Sequence, residues 1–109
     1  MLKPLALHIL LALADRESHG YGVMLAIREQ SAGQVPVQTA SFYRHLASLI
    51  DEGLVIESAA RREGVDPRRG AYYRITARGR QALAAEKRRL TDLVAQMNKV
   101  RLSPRKADA

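Results

Sequence analysis

Thr39–Val55, TASFYRHLASLIDEGLV, is the stretch that decides the fold. Phe42, Leu46, Leu49 and Ile50 recur at helical spacing and predict a buried stripe. Ser41, Arg44, His45 and Ser48 fall on the opposite side, which carries only hydrogen-bonding groups. Thr39 is placed to cap the helix start with its side-chain oxygen, and Gly53 to end it in a left-handed conformation. Leu54-Val55-Ile56 then reads as a strand. A helix with one face anchored in a core and the other offering short polar groups and an Arg is suited to reading the major groove of DNA.

The segments before it fit that reading. Pro4 suits the first turn of a helix. Leu5, Leu7, Ile9, Leu10, Leu11 and Leu13 then cover every face of that helix, more apolar surface than one small core absorbs. A second subunit would cover the surplus, with Leu5 and Ile9 as candidate contacts. The run Leu5–Ala14 is too short to span a bilayer, so no membrane association is expected. Asp15–Gly22 is polar, holds two glycines and reads as a turn. A second helix is expected from about Tyr21 to Ser31, with Val23, Met24 and Ile27 inward and Gly33 just past its end. Gln34–Gln38, QVPVQ, leads into the Thr39 helix. Two helices joined by a short turn, the second with a polar outer face, make a helix-turn-helix pattern.

Beyond Ile56, residues 57–70 contain two glycines, a proline and Arg61, Arg62, Arg68 and Arg69. AYYRIT, Ala71–Thr76, returns as a strand with Tyr73 and Ile75 on one face and Tyr72 and Arg74 on the other. The pair forms a hairpin with a long basic tip, placed as a wing beside the reading helix. Its guanidinium groups would meet phosphates or enter the minor groove, and Arg74, Arg78 and Arg80 near its base are weaker phosphate candidates. Thr76 can cap a last helix running to about Leu102, roughly 37 Å at ~1.5 Å per residue. Leu83, Leu90 and Met97 repeat every seven residues there, with Glu86, Leu93 and Val100 interleaved. That seam is apolar except at Glu86 and predicts pairing with a second copy. Glu86 itself reads as a tolerated polar position, and Arg88 and Arg89 as a solvated face.

The expected architecture is mainly α with a small β-hairpin: a winged helix-turn-helix over residues 1–76, then a C-terminal dimerisation helix and tail over 77–109. The chain has 109 residues, 47% of them hydrophobic, which suits one globular unit. It has no Cys, which removes disulfides, thiolate zinc sites and a Cys nucleophile and fits a cytoplasmic protein. His8, His19 and His45 lie too far apart to suggest a metal site, and His19 is better placed to serve the turn into the second helix. No nucleophile elbow, phosphate loop or dinucleotide fingerprint is present, so neither an enzyme nor a cofactor is expected. The formal charge of +7 suits a polyanion. Its distribution is uneven: residues 34–76 hold six basic groups against five acidic, whereas 77–109 hold nine against three. That near-neutral middle leaves open a rival reading, a winged-helix protein-interaction module that does not touch DNA.

Four segments in order resemble one family. They are the apolar first helix, His19-Gly20-Tyr21, Tyr43-x-x-Leu46-x-x-Leu49-x-x-x-Gly53-Leu54, and Arg68-Arg69-x-x-Tyr72-Tyr73-Arg74-Ile75-Thr76-x-x-Gly79. The chain is similar to PadR-type winged-helix transcriptional regulators of the short class, with a single C-terminal dimerisation helix. The resemblance implies a homodimeric repressor on an inverted-repeat operator, released by a small-molecule effector. It departs from the family in two places. Gln38-Thr39 stands where a Ser-Pro pair often opens the reading helix. There is also no Trp on the last helix to clasp a flat aromatic effector.

Overall fold

A computed structural model describes residues 1–58 and 70–103. Four helices and three short strands follow one another as α1 (Pro4–Asp15), β1 (Ser18–His19), α2 (Gly20–Gln30), α3 (Thr39–Asp51), β2 (Val55–Ser58), β3 (Tyr72–Ile75) and α4 (Ala77–Met97). The antiparallel sheet has the order β1-β3-β2. Val55 faces Ile75 and Ser58 faces Tyr72, while Ser18 and His19 pair with Tyr73 and Tyr72 on the other edge. β1 lies where the sequence suggested only a turn.

The core is made where α1 crosses α2 and α3 above the sheet. Ile9, Leu10 and Leu13 of α1, Val23 and Ile27 of α2, Phe42, Leu46 and Leu49 of α3, and Val55 of β2 are all but inaccessible to water. Leu5 and Ile9 belong to this core, with Ile9 at 0% exposure. They are satisfied within their own chain and are not available to a second subunit. The apolar surplus of α1 is carried instead by Leu11, 43% exposed, and half-buried Leu7.

Local chemistry fixes the joints. His19 is the N-cap of α2, its Nδ1 accepting from the Gly22 N–H at 3.0 Å. A ring nitrogen that accepts carries no proton, so the neutral ring bears its proton on Nε2. α2 ends with Ala32 at φ 52° and Gly33 at φ 76°. The Ala32 and Gly33 N–H groups return to the Glu29 and Arg28 carbonyls, which satisfies the helix end. α3 ends in the same way: Gly53, at φ 76°, donates to Ile50 and Leu54 donates to Leu49. Thr39 does not cap α3. The first turn already closes between the Phe42 N–H and the Gln38 carbonyl, so Gln38 is the N-cap, with no side-chain cap bond, and Thr39 is the first helical residue.

Thr76 caps α4 as its position suggested, accepting from the Gly79 N–H at 3.0 Å and donating to the Gly53 carbonyl at 2.7 Å. Gly79 lets α4 start hard against Leu54, just ahead of β2, and Ile75 of β3. A Cβ there would lie 2.7 Å from Ile75 Cγ1 and still nearer the Leu54 carbonyl oxygen. α4 closes at Met97, short of the expected Leu102, and Val100 lies in the turn beyond it. Residues 91–100 are exposed throughout, so no packing extends the helix there. Among the described residues, no helix is long and apolar enough to cross a membrane.

Candidate nucleic-acid interface

α3 presents the face its sequence suggested. Phe42, Leu46 and Leu49 are buried, whereas Thr39, Tyr43, Arg44 and Ser48 are exposed and Ser41 and His45 half-buried. The Arg44 guanidinium engages no described residue. His45 Nδ1 sits 2.8 Å from the Ser41 carbonyl. A carbonyl only accepts, so His45 donates from Nδ1, and Nε2 is left for an outside partner. Ser41 therefore contributes its carbonyl to bracing His45, while its hydroxyl remains a candidate contact.

Tyr43, at the edge of both faces of α3 and a candidate for either packing or DNA contact, does pack. Its ring meets Phe42 edge-on at 5.1 Å between centroids, and its hydroxyl lies directly over Gly20. Any side chain at residue 20 would strike that hydroxyl. The His19-Gly20-Tyr21 segment is thus a joint: His19 caps α2, and Gly20 leaves room for Tyr43 to brace α3 against it. Tyr43 is also 43% exposed, so its ring edge remains part of the outer surface. Tyr73 is half-buried beneath this joint. Burial, then the charge of Glu57 opposite it in the sheet, then Tyr43 push its phenol above the ordinary value.

Of the wing residues, Arg74 is exposed on β3 and engages no described residue. Arg61, Arg62, Arg68 and Arg69 lie outside the described residues. Arg80 lies 3.4 Å from the Ala14 carbonyl and so closes the C-terminal end of α1.

The α4 seam divides. Leu83 and Leu90 are half-buried, whereas Leu93 and Met97 are 44% and 43% exposed. Val94, 51% exposed, shares a cleft of about 640 Å³ with Leu7, His8, Leu11, Leu83 and Leu90, along the boundary of α1 and α4. The seven-residue reading missed Val94; its spacing of four from Leu90 was the available signal. Glu86 corrects that reading in the other direction. It is 5% exposed, accepts from the Leu2 N–H at 3.2 Å and binds Arg89 Nη2 at 2.8 Å. Neither Glu86 nor Arg89 is a spectator. The Arg89 hydrogen bond above all holds the Glu86 carboxyl below its usual range.

Two helices joined by a turn, a polar outward helix, and a three-stranded sheet closed by the strands after it define a winged helix-turn-helix protein. The chain belongs to the transcriptional regulator PadR-like family, whose family model matches residues 9–85. The structure is similar to that of a PadR family transcription regulator from Clostridium difficile, with TM-score 0.74 and 19% identity, covering 89% of this chain and 97% of that one. It is also similar to a transcriptional regulator from Clostridium thermocellum, with TM-score 0.71 and 23% identity, covering 86% and 89%. A third structure, of a conserved protein described as a potential transcriptional factor, has TM-score 0.69 and 30% identity, covering 87% and 82%. A comparison with curated proteins gave no match.

Proposed function

We propose that this regulator is a homodimer whose two α3 helices read an inverted repeat in double-stranded DNA and repress transcription there. The observation that carries the reading is the division of α3. Its inner face is locked in the core by Phe42, Leu46 and Leu49, while Arg44 stands outward with its donors uncommitted among the described residues. A rigid helix with a free guanidinium meets the requirement for bidentate recognition of guanine, worth ~1–3 kcal/mol against a wrong base. Ser48, Thr39 and the Nε2 of His45 supply further contacts, and Arg74 with the wing arginines supplies phosphate contacts.

The second copy is the natural cover for the apolar faces of α1 and α4. Leu11, Leu93, Val94 and Met97 are each at least 43% exposed, large apolar side chains left open to water among the described residues. In the dimer the reading helices would enter successive major grooves about 34–36 Å apart. A small-molecule effector is a further reading, favoured by the α1–α4 cleft. That cleft is almost wholly apolar, and the buried Nδ1 of His8 beside it finds no partner among the described residues. A ligand enclosed there would release DNA only by binding better to a dimer geometry that mismatches the operator.

Selection of bound fragments from random duplex DNA tests the reading; an inverted repeat is the expected product. On the selected operator, Arg44→Ala should cost roughly 1–3 kcal/mol more than on random DNA of equal length. Equal losses on both would remove Arg44 from base reading. A promoter carrying the repeat should be silenced by the protein, and activation would reverse the proposed sense of regulation.

A further inference from the structure

The segment before α1 is fastened from both sides. Glu86 is buried in α4, yet its carboxylate takes hold of a backbone amide 84 positions away in sequence, the Leu2 N–H, at 3.2 Å. Arg89 occupies the other oxygen through Nη2 at 2.8 Å and Nε at 3.2 Å. A buried carboxylate is costly unless it is paired and hydrogen-bonded, and these partners supply both. Leu2 is half-buried against the core. On the other side stands Pro4, which restricts the residue before it to extended backbone. Lys3 accordingly sits at φ −67° and ψ 151°. Its backbone has almost no freedom left, while its side chain is exposed and pairs with no described residue.

The place to which Lys3 is held is the flank of the reading helix. Leu2 and Lys3 line a cleft of about 730 Å³ with Arg44, His45 and Ser48 of α3 and with Glu52, its C-cap. Ser48 and Glu52 lie at the C-terminal end of α3, where a recognition helix leaves the groove and the DNA backbone passes alongside. Glu52 is the only carboxylate among the lining residues, against two cationic side chains, Lys3 and Arg44.

We infer that Lys3 contacts a backbone phosphate beside the major groove read by α3, and that Glu86 is the positioning residue that holds it there. The inference rests on the DNA reading proposed above. It also gives the Glu86–Arg89 pair a purpose: α4 fixes a phosphate-binding side chain next to the reading helix, so movement at the base of α4 reaches the DNA surface directly.

The test is equilibrium binding of the full chain to the selected operator and to random duplex over a range of salt. Lys3→Ala should weaken both DNAs alike and reduce the salt slope by ~0.9 for each phosphate left without its lysine, one per half-site. Glu86→Leu, which removes the acceptor for Leu2, should reproduce that change of slope. The double variant should do no more than Lys3→Ala alone, a non-additivity that a general loosening of the fold would not produce. A wild-type slope for Lys3→Ala overturns the phosphate contact, and that surface variant has no reason to misfold. Additive losses in the double variant overturn the positioning role of Glu86. A wild-type protein without salt-dependent DNA affinity removes the underlying reading, and this inference with it.

Discussion

Replacing Gly79 by Ala should destabilise the protein, against the ordinary rule for helices. In a free helix Ala is favoured over Gly by about 1 kcal/mol, because Gly loses more backbone freedom on folding. Gly79 lies in the first turn of α4, where a Cβ would come 2.7 Å from Ile75 Cγ1 and press on the Leu54 carbonyl oxygen. Neither neighbour can yield cheaply. Ile75 is buried in β3, and the Leu54 oxygen already accepts the Thr76 N–H at 3.0 Å. Relief requires α4 to back away from Leu54 and β3, which also strains the Thr76 bonds to Gly53 and Gly79. Overpacking of this kind costs about 1–3 kcal/mol, and each weakened hydrogen bond about 1 kcal/mol. After the gain in propensity, the net loss is about 1–3 kcal/mol. For a chain near 100 residues that lowers Tm by roughly 4–12 °C. Thermal unfolding followed by circular dichroism, at matched protein concentration because dimerisation would itself raise Tm, is the assay. An unchanged or higher Tm would refute the close approach of α4 to Leu54 and β3.

Backbone strain and burial supply two more expected outcomes. Ala32 holds a left-handed conformation at φ 52° in an exposed position, so Ala32→Gly should stabilise by about 0.5–1 kcal/mol, read as a rise in Tm of a few degrees; a fall would contradict the strained cap. The Tyr73 phenol is raised by burial and by Glu57, so the folded state holds its proton more tightly than the unfolded chain does. That contribution is complete below about pH 10 and is lost as pH climbs through the folded value, so Tm should fall on the alkaline side and Tyr73→Phe should flatten the fall. An identical alkaline slope in the variant would assign the loss to other groups.

What the sequence made legible was whatever depended on near neighbours. Phe42, Leu46 and Leu49 identified the inner face of α3 by spacing alone, and Gly53 and Thr76 marked helix boundaries through local hydrogen bonding. One failure was local, since Gln38 and not Thr39 is the N-cap of α3, and the others were questions of tertiary partner. Ser18–His19 is too short to carry a period of two, and it is a strand only because β3 offers it an edge. A helix with leucines on every side gives no sign that Ile9 faces its own core while Leu11 faces out. The polar break at Glu86 was visible, but its acceptor role depends on Leu2, at the far end of the chain. Taking Ser103-Pro104 as the stop carried the last helix too far, since a breaker limits how far a helix can run and exposed residues ahead of it do not hold it that long.

The polar contacts made by α4 crowd into its first half, and the proposed dimer gives a reason. Thr76 ties the helix to the end of α3, Arg80 to the end of α1, and Glu86 to Leu2, whereas residues 91–100 are all exposed. A helix of 21 residues is about 31 Å long, so a tilt of roughly 10° at its base would move its far end by ~5 Å. If the far ends are clasped to a second copy, that displacement falls instead on the winged domains and on the spacing of the two α3 helices. Two half-sites one helical turn apart tolerate little such error. A lever of this length therefore needs several independent restraints at its root. Thr76, Gly79, Arg80 and Glu86 act at four different places, the end of α3, β3, the end of α1 and the segment before α1, so no single rotation of α4 relaxes them all.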